Sequence, residues 1–210
     1  MTSNFSVVSA HSTDIGNVEV QQDDAVIVNS LFNSDICSLY GVFDGHGTYG
    51  DSCSRFVKTT LTQLIDSHKE ALNQNIEKSL TQLFEMVNEL LCEESTIDTY
   101  LSGSTAVLVM VLKNQLIVIN LGDSRAVLAK ETSRGLKAIS LSEYIPFILC
   151  FCMIKNIDGI CRVGTIHARI RLRSKGLRAL VLVLSNSRLV MIFMDLFESS
   201  RAHCRTLDLQ

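Results

Sequence analysis

Near the end of its first quarter the chain closes an apolar run with an aspartate and follows it at once with glycine, histidine and glycine: Asp44, Gly45, His46 and Gly47. A hard divalent cation takes oxygen ligands, and a carboxylate beside a freely turning glycine carbonyl supplies two of them. Asp44 and the Gly45 carbonyl are therefore candidate metal ligands. His46 belongs to the residue type that changes charge near neutral pH, which makes it a candidate general acid. A second acidic pair, Asp23 and Asp24, stands just before another short apolar run, and Asp123 sits in the turn Gly122-Asp123-Ser124-Arg125. Each feature also has an ordinary reading. Asp-Gly is a common turn dipeptide, Asp23-Asp24 suits a solvated strand edge, and Asp123 suits a turn residue that bonds the next backbone amide.

The elements that must position these residues can be read from spacing. Residues 25–28 and 39–43 are short, branched and apolar, and predict two strands paired as a hairpin. In that pairing Asp23 and Asp44 lie on adjoining strands, and strand length and twist decide whether they converge. The three glycines within 44–50 end the strand and allow a sharp turn or a close approach to the backbone. Over 51–69, Val57, Leu61, Leu64 and Ile65 recur at helical spacing, with Asp51 suited to the helix N-terminus. Ile76, Leu80, Leu83, Phe84, Val87, Leu90 and Leu91 mark a second amphipathic helix. Apolar runs at 105–112, 116–121 and 125–129 are separated by turns short enough to force antiparallel neighbours. These strands are apolar on both faces, as in a sheet held between two layers. Residues 1–140 thus predict an α+β domain with helices on the outer faces of largely antiparallel sheets.

Composition narrows the classes. The 210 residues are 47% hydrophobic and 20% charged, enough apolar material for one sizeable core and unlike a disordered or collagenous chain. The net charge of −3 argues against whole-chain attraction to nucleic acid or anionic lipid. That total hides an asymmetry: residues 1–140 carry 9 basic and 17 acidic side chains, residues 141–210 carry 10 and 5. The second stretch is basic and apolar and gives no domain assignment. Its run 145–154 is too short to span a bilayer. The run 179–197 is long enough, but Arg188 near its centre would cost about 2.5–3.5 kcal/mol in lipid. No membrane span and no secretory signal are expected. Arg169, Arg171, Arg173, Lys175 and Arg178 read as a solvated basic strand in preference to a nucleic-acid surface. Seven cysteines, without a C-x-x-C pair, predict reduced thiols in an intracellular protein, cytoplasmic or nuclear.

Four segments in order carry a more specific signal: Gln22-Asp23, then Gly41-Val42-Phe43-Asp44-Gly45-His46-Gly47, then Ser102-Gly103-Ser104-Thr105-Ala106, then Asn120-Leu121-Gly122-Asp123-Ser124-Arg125-Ala126. Over residues 5–140 their order and spacing resemble the first half of the protein phosphatase 2C family, the metal-dependent protein Ser/Thr phosphatases. The resemblance implies a four-layer αββα sandwich with two Mg²⁺ or Mn²⁺ ions in a cleft at the sandwich edge. It implies that Asp23, Asp44 and the Gly45 carbonyl are metal ligands and that Asp123 serves an additional, weaker metal site. It further implies that His46 gives a proton to the leaving oxygen, that a metal-activated water attacks a phosphoprotein substrate without a covalent phosphoenzyme, and that the chain works as a monomer.

The chain also departs from the pattern. The family's later Ser-Asp-Gly segment and Asp-Asn pair have no match in 141–210, since Asp158, Asp195 and Asp208 lack the required flanks. Val18 stands where a basic residue would hold the substrate phosphate. An incomplete sandwich, an incomplete binuclear site and weak catalysis are the expectation, with a catalytically inactive phosphatase-like binding module as the alternative. The loss of pattern near Ser140 and the charge reversal suggest a different origin for 141–210, such as an altered reading frame, a retained intron or a mis-assembled gene.

Overall fold

The computed structural model describes residues 6–13, 19–34, 37–112, 115–142, 165–171, 178–184 and 188–195. Two strands open the chain, β1 (Ser6–Thr13) and β2 (Asp23–Val28), and a 3₁₀ turn, Leu31–Asn33, leads to β3 (Cys37–His46). Three helices follow, α1 (Gly50–Ser67), α2 (Lys69–Gln74) and α3 (Ile76–Glu93). Next come β4 (Gly103–Ser104), β5 (Ala106–Leu112), β6 (Gln115–Leu121), β7 (Arg125–Thr132) and β8 (Gly135–Ser140). The last described strands are β9 (Thr165–Arg171), β10 (Arg178–Leu184) and β11 (Arg188–Asp195).

The strands form two sheets in which each described pairing is antiparallel. One runs β2-β3-β5-β6-β9, with β4 also on β3; the other runs β1-β11-β10-β7-β8. This is the α+β sandwich expected from the sequence, with one correction: the short turn at 122–124 does not make β6 and β7 antiparallel neighbours but carries the chain from one sheet to the other, where β7 pairs with β8 and β10. Alternation along the strands gives each sheet two faces. In β3, Leu39 and Phe43 join Cys53, Val57, Leu61 and Ile65 of α1 and Leu80, Phe84, Val87 and Leu91 of α3 in one buried cluster. Tyr40 and Val42 point the other way, into a second cluster with Val107, Val109 and Val118 and with Ala126 and Leu128 of β7. The first cluster seals helices to sheet and the second seals sheet to sheet. Each fully buried Leu, Val or Phe contributes about 1.5–3 kcal/mol, so these two rows hold the layers together. The Asn75 side chain caps α3 by accepting from the Lys78 N–H at 3.1 Å.

Residues beyond 141 contribute three strands: β9 on β6, β10 on β7, and β11 between β10 and β1. The run 179–197 therefore holds strands, and no helix among the described residues is long and apolar enough to cross a membrane. The run 145–154, with Asp158 and Asp208, lies outside the described residues.

Cys37, Cys53 and Cys92 are free thiols. Burial, helped by the Asp51 carboxylate, pushes the Cys53 thiol up to about 12. The thiolate is the reactive form, so Cys53 is expected to resist iodoacetamide at pH 8 in the native chain and to react after denaturation, as peptide mass mapping would read. The unfolded chain loses this proton above its ordinary value while the folded chain keeps it, so the contribution is present at neutral pH and is lost as pH rises toward 12.

Candidate metal centre

The antiparallel register of β2 and β3 pairs Asp23 directly with Asp44, and Asp24 with Phe43. Residues opposite each other in such a pair project to the same face. Asp44 continues the row Tyr40, Val42 and Asp23 begins the row Ala25, Ile27, which are the rows that meet the inter-sheet cluster. Both carboxylates thus stand where the space between the sheets opens at its rim. Strand length and twist, which left their convergence open, are resolved by the pairing itself, because the first residue of β2 meets the far end of β3. Asp23 is buried and Asp44 partly buried. Asp24, of opposite parity, turns to the helices and forms an ion pair with Lys58 of α1 at 2.5 Å.

Gly45 follows on the same strand and pairs with Ser104 of β4. Its N–H donates to the Gln22 carbonyl at 3.2 Å. A Cβ here would collide with the Gly50 carbonyl oxygen and lie 2.5 Å from the Gln22 oxygen, so only glycine fits this crossing of three backbones. The surrounding loop is tied down by side chains. Gln22 Nε2 donates to the Gly47 carbonyl at 2.7 Å, Ser54 Oγ donates to the Gln22 carbonyl at 2.6 Å, and the Tyr49 N–H donates to Ser102 Oγ at 3.0 Å. Gly47 itself has a φ of +83°, a conformation that glycine adopts at low cost.

His46, partly buried, pairs with Gly103. Burial pushes its imidazole below the ordinary value, while the Asp123 carboxylate pulls it upward. Asp123 is therefore within electrostatic reach of His46, although 77 positions separate them in the sequence. It is carried there by the turn between β6 and β7, in which Gly122 has a φ of +100° and its carbonyl accepts from Asn120 Nδ2 at 3.1 Å.

The predicted residues Asp23, Asp44, Gly45 and His46 accordingly share one strand pair, and Asp123 approaches from a second segment. In kind, two carboxylates and a carbonyl suit a hard divalent cation. In number they form a partial shell, since no group of three or more His, Cys, Asp or Glu side chains able to hold a metal gathers among the described residues. Asp195 ends β11 opposite Ser6 and Arg178.

Gln22, Ser54, Ser102, Thr105 and Ser124 had no assigned role in the sequence reading. For Ser102, Thr105 and Ser124 the signal that could have found them is a set of small hydroxyl residues at the ends of apolar strands; Gln22 and Ser54 carry none.

Comparison with known proteins agrees with this arrangement. The family model described as protein phosphatase 2C matches residues 11–142. "Probable protein phosphatase 2C 35" of Arabidopsis thaliana is 39% identical over 127 residues, which cover 60% of this chain and 36% of that protein. "Probable protein phosphatase 2C 72" of the same plant is 35% identical over 148 residues, covering 65% of this chain and 43% of that protein. The chain thus spans less than half the length of these curated relatives. Among solved structures, the serine-threonine phosphatase 2C from Toxoplasma gondii superposes with a TM-score of 0.70 at 17% identity, covering 89% of this chain and 94% of that one. A bacterial serine phosphatase gives a TM-score of 0.64 at 14% identity, covering 92% and 99%. At such identities the likeness concerns the fold. With the family pattern matched over more than half of its residues and the sandwich present, the chain belongs to the protein phosphatase 2C family.

Proposed function

We propose that the chain carries the metal-binding half of a protein serine/threonine phosphatase, one that hydrolyses phosphoserine and phosphothreonine with Mg²⁺ or Mn²⁺. The observation that supports this most is the register pairing of Asp23 with Asp44 beside Gly45 and His46. The carboxylates of Asp23 and Asp44 and the Gly45 carbonyl would hold a cation, with Asp123 contributing to a weaker position. A divalent ion in such a place supplies charge for the phosphoryl oxygens and makes water a better nucleophile. The chain's own residues do the rest. Gly45, bare of side chain, lets the strand and the α1 loop approach closely enough to present its carbonyl, and Gln22 and Ser54 fix that loop. His46 would give a proton to the departing serine or threonine oxygen from its protonated form, which burial disfavours and the Asp123 carboxylate favours. The substrate is a phosphoprotein, the working form a single copy, and the compartment intracellular, the last in keeping with thiols that stay reduced.

The test is phosphate release from a phosphothreonine peptide by the whole 210-residue chain, with and without Mn²⁺. Release that requires Mn²⁺ and stops on chelation is the expected result. Mn²⁺ binding without release would replace the enzyme with a binding module, and neither binding nor release would remove the proposal.

A further inference from the structure

The ladder between β3 and its neighbours is interrupted over Phe43 and Asp44. β3 pairs regularly with β5 from Cys37 opposite Leu112 to Val42 opposite Val107, and resumes with β4 at Gly45 opposite Ser104. Continuing that register sets Asp44 opposite Thr105. An ordinary antiparallel pair at this position would exchange two main-chain bonds. One of them forms, the Thr105 N–H donating to the Asp44 carbonyl at 2.9 Å. The other does not take its usual course: the Asp44 N–H donates to the Thr105 side chain, Oγ1, at 3.0 Å. The Thr105 carbonyl instead accepts from Ser104 Oγ at 2.8 Å. The Thr105 hydroxyl in turn shares a hydrogen bond of 2.7 Å with Ser124 Oγ, either oxygen being able to donate. Thr105 and Ser124 are 1% and 4% exposed, so these bonds form out of solvent, where losing a partner is costly.

We propose that Thr105 and Ser124 are positioning residues, a buried hydroxyl clamp that sets the orientation of Asp44 and ties it to the turn bearing Asp123. The inference rests on the reading of Asp44 as a metal ligand and deepens it. The clamp joins β3, which bears Asp44, to the β6–β7 turn, which bears Asp123. A main-chain bond at this position would be indifferent to sequence, whereas a side-chain bond makes the setting of Asp44 depend on a hydroxyl 61 residues away. Partners that orient a metal ligand from behind tune affinity without touching the ion.

The experiment titrates Mn²⁺ alone into the metal-free whole chain by calorimetry, for wild type, Thr105→Val, Thr105→Ser and Ser124→Ala, and records the metal-free Tm of each. Thr105→Val keeps the shape and loses the hydroxyl, and is expected to weaken Mn²⁺ binding by about tenfold to a hundredfold. Thr105→Ser keeps the hydroxyl and is expected to restore wild-type binding, while Ser124→Ala weakens it in the same direction. Unchanged affinity in Thr105→Val, or an equal loss in Thr105→Ser, would overturn the clamp, because a purely structural threonine would not distinguish the two by their hydroxyl. If Thr105→Val does not fold, Ser124→Ala against Thr105→Ser carries the comparison with the same two outcomes. If the wild type takes up no Mn²⁺, the phosphatase reading fails on its own, and hydrogen exchange at the Asp44 amide judges the clamp. Faster exchange in Thr105→Val or Ser124→Ala than in Thr105→Ser then supports it, and equal rates refute it.

Discussion

Asp44→Asn is expected to reduce Mn²⁺-dependent phosphate release by about a hundredfold or more, since a residue that touches the ion should cost at least as much as the strongest effects of those that only support a ligand. The substitution keeps the size of the side chain and removes its charge. Asp44 stands at the rim between the sheets, opposite Asp23, and in the proposed site these two supply the negative charge that holds the cation. The informative control is the neighbouring acid of β2. Asp24→Asn breaks the ion pair with Lys58, a partly exposed pair on the helix side of the sheet that is worth about 1 kcal/mol at most. It is expected to leave phosphate release intact. Parity along one strand thus separates two adjacent aspartates by function, and a steady-state assay of Asp23→Asn, Asp24→Asn and Asp44→Asn reads that separation directly. Equal losses at 23 and 24 would mean that the strand faces have been assigned wrongly.

Gly45→Ala is expected to destabilise the chain by at least about 3 kcal/mol, the upper range for overfilled sites, because the methyl group meets backbone on both sides. The Gly50 carbonyl belongs to the first residue of α1 and the Gln22 carbonyl to the segment entering β2, and neither can swing aside as a flexible side chain would. Relief requires β3, α1 and the entry to β2 to separate, which opens the Gly45 N–H bond to Gln22 and the Ser54 bond to the same carbonyl. For a chain of this size the loss corresponds to a fall in Tm of about 6–12 °C. Thermal unfolding followed by circular dichroism measures it. Gly135→Ala is a useful contrast: a Cβ at Gly135 would meet no atom within 4 Å, so its cost comes from the positive φ of +105° alone and is expected to be smaller. A Gly45→Ala chain as stable as wild type would show that the three backbones do not cross as closely as described.

How far the sequence alone reached differs from element to element. The two long helices, the β2–β3 hairpin and the β5–β6 pair were legible because their apolar residues repeat at 3.6 or 2 positions and their turns are short, both local properties of the chain. The equally short turn after β6 does not pair it with β7 but passes the chain to the other sheet, a choice made by distant partners. Asp44, Gly45 and His46 were legible as a group because they are contiguous. The strands β9, β10 and β11 were not, since their pairing with β6, β7 and β1 is chosen by distant partners and their own pattern carries no address. The same distinction divides the site. Residue types and their order determined that a carboxylate, a bare carbonyl and an imidazole would lie together. Only the tertiary structure decided that Asp23 faces Asp44 while Asp24 turns away to Lys58, that Asp123 comes within reach of His46, and that Thr105 and Ser124 grip Asp44 from behind. Register and chain reversal set those relations, and both arise from contacts between segments that no local spacing encodes.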